Sequence, residues 1–391
     1  MRIGIDARFY GKAGPGRYTK SIVQHLEKVD AENEYIIFLT TEGYKEYQPS
    51  NRNFKKVLAN HSWYSFDEQT RFLLKVIKLN LDLYYVPHFN IPVLYPGKII
   101  TAIPDMTMHK FSTRFSTTLP KWYFVIKKAV YKMVFWWAVF RSYKVIVPSQ
   151  TVLDEFIKYI KGIPKSKYVL AYEGVDPDYF IKHQNPKEVL SKYGITRPFI
   201  LYVGSMYEHK NVPGMIDMFR VLKNKYGFTG QFVMAGKKDM FATEIYEKIK
   251  ADGLENDILL PAFHDTSAPS DKNIVVSDLE VIALRQKALV YVIAAFTEGF
   301  SLTALEGMIH GLPAVISDIE CHHEVYGDSV LYFDPHSAED MAKKVYEMLT
   351  NKELRDGYIA KGYAQAKKYD WAKTAEITLE VFKKALGLKY L

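Results

Sequence analysis

Cysteine is nearly absent: Cys321 is the single one among 391 residues. One thiol cannot close an internal disulfide, no cysteine-rich metal cluster is written into the chain, and both absences fit a reducing cytosol. Long hydrophobic runs are missing too. The greasiest segment, residues 122–140, is interrupted by Lys127, Lys128 and Lys132, which are expensive inside a bilayer, so no membrane span is expected. The opening Met1-Arg2-Ile3-Gly4-Ile5-Asp6 lacks an apolar stretch of signal-peptide length and reads as a first strand. Nucleic-acid-binding modules are lacking as well, which sets nucleic acid aside as a partner despite a net charge of +8. That charge suits other anions, among them nucleotide diphosphates and lipid head groups.

What is present is an ordinary globular composition, 48% hydrophobic and 25% charged, at a length that suits two domains. Short stretches at residues 3–8, 35–39, 55–58, 83–86, 98–103, 145–149 and 168–171 read as strands, with helices predicted over 18–26 and 66–79. This alternation predicts a doubly wound α/β domain. Gly14-Pro15-Gly16-Arg17-Tyr18 falls where a strand hands over to a helix, in a loop whose glycines allow close backbone approach to a ligand. His88, Asp105 and His109 follow two other strand tips and are the polar candidates on that side. Residues 178–196 read as a linker with one short helix. Residues 261–272, rich in Pro, Ser and Asp, read as a surface loop.

The second half centres on residues 290–317. An apolar run, 290–296, reads as a buried strand, Glu298-Gly299 as a turn, and 301–310 as a helix ended by Gly311 and Pro313, before the next apolar run begins at Ala314. Such a βαβ unit implies a parallel sheet with its ligand crevice at the carboxyl ends of the strands. Glu298 stands at that crevice, and Glu306, a little over one turn into the helix, reaches the same ligand further along. The first-turn amides of Phe300, Ser301 and Leu302 suit a phosphate. An alternative of equal weight has Glu298 capping the helix and Glu306 solvated. Upstream, the apolar run 199–203 turns at Gly204-Ser205, and Lys210 in the loop that follows is placed to neutralise a diphosphate. Phe232-Val233-Met234-Ala235-Gly236-Lys237 repeats the strand-glycine-basic pattern.

Glu-Gly-Phe-Ser-Leu-Thr-Ala-Leu-Glu-Gly-Met, followed by Gly311-Leu312-Pro313-Ala314-Val315, resembles the E-x7-E signature of the family-4 retaining glycosyltransferases of the GT-B fold. The likeness extends in order through Ile5-Asp6-Ala7-Arg8, the Gly14–Gly16 stretch, Lys210-Asn211 and Leu331-Tyr332-Phe333-Asp334-Pro335. It implies two facing Rossmann-like doubly wound domains with an interdomain cleft: residues 1–178 on the acceptor side, joined by a helix at 372–391, and 179–371 binding a nucleotide-sugar donor. By resemblance Glu298 contacts the sugar hydroxyls and Glu306 the ribose, while Gly14, Gly16, Gly204, Ser205, His209, Lys210, Gly236, Lys237, Gly299, Phe300, Ser301 and Leu302 line the donor site.

The sequence also departs from the family. Pro104 stands where many members carry a histidine before Asp105, so either His88 or Asp105 supplies that polar contact or the chemistry tolerates its loss. Ser205 and His209 replace arginines found in relatives. The resemblance implies retention of configuration, transfer without a metal or other cofactor, and a glycan or lipid-linked glycan acceptor. GDP-mannose is the first donor expected, then UDP-glucose, UDP-N-acetylglucosamine or another nucleotide sugar; a non-catalytic GT-B module is the rival from a different class. A cytoplasmic location is expected. Residues 121–144, basic and aromatic, fit either a helix lying on an anionic membrane surface or an internal helix with a wetted lysine edge.

Overall fold

Every strand pair among the described residues is parallel, as expected when short, largely apolar runs alternate with helices that cover both faces of a sheet. The computed structural model describes residues 1–11, 13–110, 121–176, 180–264 and 276–387. It separates into two units, Met1–Gly174 with Asp370–Leu391, and Val175–Tyr369.

The first unit holds strands β1 (Arg2–Asp6), β2 (Glu34–Leu39), β3 (Phe54–Leu58), β4 (Leu83–Val86), β5 (Ile99–Ala102), β6 (Lys144–Val147) and β7 (Tyr168–Leu170), in the order β3-β2-β1-β4-β5-β6-β7. The chain winds one way from β1 to β3 and the other way from β4 onward. The switch point between β1 and β4 is therefore where a crevice opens at the strand ends. The helix Trp371–Leu386 packs on the helix Ala13–Val29 and on β4, with Trp371 edge-on to Tyr18 at 5.4 Å. Gly174 is needed at that crossing: a Cβ there would lie 2.2 Å from the Trp371 amide nitrogen.

Two expectations for this unit are corrected. Gly14 and Gly16 are not in a loop; they occupy the first turn of the helix Ala13–Val29. Pro15 fits there because a first-turn residue has no intrahelical partner for an N–H and needs the φ that proline already has. The helix predicted over 66–79 opens instead as a π-turn, Glu68–Phe72, before the α-helix Leu73–Lys78. That wider turn rolls Glu68 fully inward, to a charged partner that sequence periodicity does not reveal.

The second unit holds β8 (Phe199–Val203), β9 (Gln231–Ala235), β10 (Ile258–Leu259), β11 (Tyr291–Ile293), β12 (Ala314–Ser317) and β13 (Leu331–Phe333), in the order β10-β9-β8-β11-β12-β13. Its strands bury both faces, so their side chains split by alternation between two cores. Phe199, Leu201, Val233, Ala235, Tyr291, Ile293 and Ile316 enter one; Ile200, Tyr202, Phe232, Met234, Val292 and Val315 enter the other. Each of the larger of these aliphatic side chains contributes roughly 2 kcal/mol by leaving water.

The one short helix expected in the linker is found, but the stretch packs into the second unit instead of running free. Within residues 178–196 the helix Pro186–Lys192 packs on the helix Asp278–Lys287, and Val189, Tyr193 and Ile195 are buried in the first of the two cores. Of the surface loop expected at 261–272, Pro261–His264 form a short helix and the rest lies outside the described residues. No helix among the described residues is long and apolar enough to cross a membrane.

The glycines of the first helical turn give a paired test. A Cβ on Gly16 would sit 2.1 Å from the Phe9 carbonyl oxygen, whereas one on Gly14 meets nothing within 4 Å. Urea denaturation is expected to show Gly16→Ala destabilised by about 1–3 kcal/mol and Gly14→Ala unchanged or stabilised by a few tenths. Equal effects at the two positions would contradict this packing.

Candidate functional site

In the second unit the winding direction reverses between the neighbouring strands β8 and β11, and the two loops that leave their carboxyl ends carry the chief charged candidates. Beyond β8 a 3-10 turn, Glu208–Lys210, presents Lys210; beyond β11 the turn carries Glu298. The Phe296 amide donates to the His209 carbonyl at 2.8 Å and ties the loops together. Lys210 Nζ then meets Glu298 Oε1 at 2.6 Å, with the side chains 19% and 11% exposed. Burial alone would raise the Glu298 carboxyl, but the positive charge of Lys210, its hydrogen bond and the nearby His322 and His209 hold it below its ordinary value. The glutamate is therefore an ionised acceptor, and the lysine is its counter-ion.

Each member of this pair is followed by a left-handed residue that is not glycine. Asn211, directly after Lys210, has φ 54° and is pinned by its side-chain amide to the Pro335 carbonyl at 2.7 Å. Ser301, three residues after Glu298, has φ 69°. This corrects the expected helix: Ser301 is the residue before it, and the helix proper is Leu302–Met308. The buried Phe300 ring, edge-on to Tyr369 at 5.2 Å, and the Tyr326 hydroxyl, which donates to the Ser301 carbonyl, hold the bend. Such conformations cost on the order of 1 kcal/mol or more and are kept where a backbone must present its amides in a set direction.

The other loop ends gather around the same tips. The Gly204 amide donates to the Ala235 carbonyl at 2.9 Å, and a Cβ on Gly236 would lie 2.4 Å from the Gly204 carbonyl oxygen, so glycine there lets the two loops touch. Ser205 accepts from the Tyr202 hydroxyl through its carbonyl, at 2.6 Å, and Lys237 is exposed beside Gly236.

Glu306 does not stand open to a ligand, and it is not solvated. It is 1% exposed and forms an ion pair with the Arg285 guanidinium, itself 1% exposed, on the helix Asp278–Lys287. Sequence reasoning missed Arg285, although an arginine directly after the apolar run Val281-Ile282-Ala283-Leu284 was a signal that something acidic waits inside. His322 was missed as well. It is wholly buried on the helix Glu320–Tyr326, with Nδ1 2.8 Å from the Ser317 carbonyl, and no pattern in the sequence points to it.

In the first unit the remaining candidates lie at the β1 and β4 tips. Arg8 is wholly buried and bridges Asp6 (2.8 and 2.7 Å) and Glu68 (2.6 Å) while stacking over Phe72 at 3.9 Å. Asn90 donates to the other Glu68 oxygen at 2.7 Å, and Tyr84 to Asp6 at 3.1 Å. Burial opposes the charge of Arg8 but Asp6, Tyr84 and Glu68 keep it protonated; burial pushes Glu68 up against the pull of Arg8 and Asn90. His88 lies among these charges, with Nδ1 accepting from the Asn90 amide at 3.1 Å. Burial lowers it to about 4, Arg8 assisting and Asp6 opposing, so it is a neutral acceptor near pH 7.

Asp105 accepts from the Thr107 amide at 2.8 Å and is half-buried, and the imidazole of His109 meets the Tyr131 hydroxyl at 3.0 Å. Pro104 lines a small apolar pocket with Pro15, Tyr18, Pro87 and Pro148. Among the described residues no three His, Cys, Asp or Glu side chains gather as metal ligands.

Comparison with known proteins agrees with this architecture. Residues 187–365 match the family described as Glycosyl transferases group 1. O-antigen chain mannosyltransferase B of Escherichia coli is 26% identical over 196 residues, 50% of this chain and 48% of that protein. O-antigen chain mannosyltransferase RfbU of Salmonella typhimurium is 24% identical over 210 residues, 54% of this chain and 52% of that one. The chain thus spans about half the length of these curated relatives. Among solved structures, sucrose-phosphate synthase from Thermosynechococcus elongatus superposes with a TM-score of 0.75 at 13% identity, covering 99% of both chains. Anabaena HepE in complex with UDP and glucose superposes with a TM-score of 0.72 at 13% identity, covering 98% of this chain and 100% of that one. The GT-B fold and the likeness to mannosyltransferases read from the sequence are borne out.

The buried Arg285–Glu306 pair yields a stability test. Removing one partner strands the other charge, so Glu306→Ala is expected to lower unfolding free energy by about 3–5 kcal/mol, while an Arg285→Met/Glu306→Leu double variant recovers most of that loss. A Glu306→Ala protein as stable as wild type in urea would contradict the pairing.

Proposed function

We propose that this chain, a GT-B fold whose second unit carries the glycosyl transferases group 1 match, transfers a hexose from a nucleotide sugar to a glycan or lipid-linked glycan, with GDP-mannose as donor. One observation carries the reading: at the β8/β11 switch point a lysine and an ionised, mostly buried glutamate meet at 2.6 Å, beside loops whose backbones are bent to present amides. A diphosphate calls for the first of these groups and sugar hydroxyls for the second. In this reading the ligand parts the pair: Lys210 turns to the phosphates and Glu298 accepts from the sugar.

In the transfer, the bond between the anomeric carbon and the diphosphate oxygen breaks, and an acceptor hydroxyl oxygen bonds to that carbon. The hydroxyl proton passes to the departing phosphate, and attack from the face the phosphate leaves retains configuration. The barrier falls chiefly through fixed positive charge aimed at the leaving group. Lys210 and the amides of Phe300, Ser301 and Leu302 supply it, with no metal required. Gly204, Ser205, His209, Gly236, Lys237 and Gly299 shape the donor site. By family resemblance the nucleotide ribose is assigned to the Glu306 side of the helix, where the carboxylate is already paired with Arg285. Gly14, Gly16, His88 and Asp105, in the other unit, are assigned to the transfer by family resemblance.

The mannosyltransferase relatives favour GDP-mannose. Structural neighbours crystallised with UDP or UDP-glucose favour a uridine donor as the second reading. A membrane surface as partner is supported by the helix Lys121–Arg141: the side chains of 121–127 lie outside the described residues, but Val130, Met133, Trp136 and Phe140 are 40–64% exposed beside the exposed Lys132.

Two measurements test these proposals. In a thermal-shift panel of GDP, UDP, ADP and their sugar conjugates, GDP-mannose is expected to stabilise wild type equally with and without EDTA, and Lys210→Ala to lose at least roughly tenfold in nucleoside-diphosphate affinity. Glu298→Gln is expected to keep that affinity and lose on the order of a hundredfold or more in transfer. No shift from any nucleotide would favour a non-catalytic binding module. The full chain is expected to sediment with anionic but not neutral vesicles, and Trp136→Ser/Phe140→Ser to reduce that fraction; equal sedimentation with both vesicle types would remove the membrane proposal.

A further inference from the structure

We propose that Nε2 of His322 accepts a hydrogen bond from a hydroxyl of the donated sugar, as a further contact beside Glu298 that helps set donor specificity; the inference rests on the nucleotide-sugar reading above.

The tautomer follows from the partners. Nδ1 lies 2.8 Å from the Ser317 carbonyl, which can only accept, so Nδ1 carries the proton and donates it there. The Ser317 hydroxyl, 3.2 Å from the same nitrogen, spends its own proton on the Ala295 carbonyl at 2.7 Å. In the neutral ring Nε2 is therefore a lone-pair acceptor. Burial keeps the ring neutral, lowering it to about 4; Glu298 and the Ser317 carbonyl pull upward, Lys210 and His323 downward.

That acceptor has no hydrogen-bond partner, and it is wholly buried. A buried polar atom without a partner is uncommon and calls for one. A second buried polar atom without a partner is the Ser301 hydroxyl, and the backbone of that residue is tied to the helix of His322 by the Tyr326 hydroxyl. Two unsatisfied groups thus flank the turn that carries Glu298. His322 lies deeper than the Glu298–Lys210 pair, whose side chains are partly exposed, and the charges of both act on it. When Lys210 turns to phosphate and the pair parts, the proposed occupant beside Glu298 reaches on to Nε2. Glu298, ionised, and Nε2, a lone pair, both accept, so the entering group must carry two protons to donate. A polyhydroxylated ring does, and a bare phosphate does not.

The discriminating experiment compares nucleotide with nucleotide sugar. Calorimetric titration of GDP and GDP-mannose, or UDP and UDP-glucose if wild type prefers uridine, would be run on the full chain for wild type, His322→Asn, His322→Phe and His322→Gln. Asparagine keeps a donor for the Ser317 carbonyl and removes the acceptor; glutamine restores an acceptor at the Nε2 position. The expected result is a loss of roughly tenfold or more in nucleotide-sugar affinity for the Asn and Phe variants, with partial recovery in Gln and nucleoside-diphosphate affinity within about twofold of wild type throughout. Thermal denaturation reports whether each variant is folded, and Asn decides the matter should Phe fail to fold. Equal weakening of nucleotide and nucleotide sugar, or Asn binding the sugar conjugate as wild type does, overturns this inference alone. Wild type that binds no nucleotide overturns the reading beneath it and the inference together.

Discussion

A carboxylate held away from water must keep a cation or a set of donors, and Glu298 is placed so that it always has one or the other. In the structure Lys210 fills that role across the β8/β11 switch point. The arrangement depends on the sheet order, which brings two loops from distant parts of the chain side by side, and on the Phe296 amide bond to His209, which fixes their spacing. It depends as well on Asn211 and Ser301, whose left-handed backbones turn the chain sharply just beyond the lysine and the glutamate. Local strain at both is held by packing and side-chain bonds, the pattern expected where backbone direction matters more than backbone comfort. In the proposed function the pair is a placeholder, replaced by an anion for the lysine and hydroxyls for the glutamate.

The first unit meets the same constraint with a permanent solution. Arg8 sits between Asp6 and Glu68, with Asn90 and Tyr84 completing the network, and no member is exposed to solvent beyond 3%. The network lies at the β1 and β4 tips, where burial keeps His88 neutral and the Asn90 amide orients it. The two units thus use buried charge differently: one holds a single, partly exposed pair at its loop tips, the other a wholly buried network.

Much of this was legible in the sequence because it rests on periodicity and local order. Short, largely apolar runs predicted the parallel strands, and Glu298 and Lys210 were each found from their place after a strand tip. What escaped was whatever depends on partners remote in sequence. Glu306 was read toward a ligand because helix spacing says which way it leans; only the tertiary structure supplies Arg285, 21 residues earlier, to claim it. Glu68 was hidden for the same reason, since a π-turn shifts its direction and no pattern of apolar residues forecasts one. The Gly14–Gly16 stretch was taken as loop because two glycines and a proline read as a turn, whereas a first helical turn tolerates all three. His322 left no trace at all, being one histidine of a His-His pair whose twin is exposed.

The most direct test of the account is a crystal structure of the chain with a nucleoside diphosphate bound. The account predicts Lys210 Nζ within hydrogen-bond distance of a phosphate oxygen, its bond to Glu298 broken, and the Phe300–Leu302 amides turned toward the anion. A nucleotide seated elsewhere, with Lys210 still on Glu298, would contradict it.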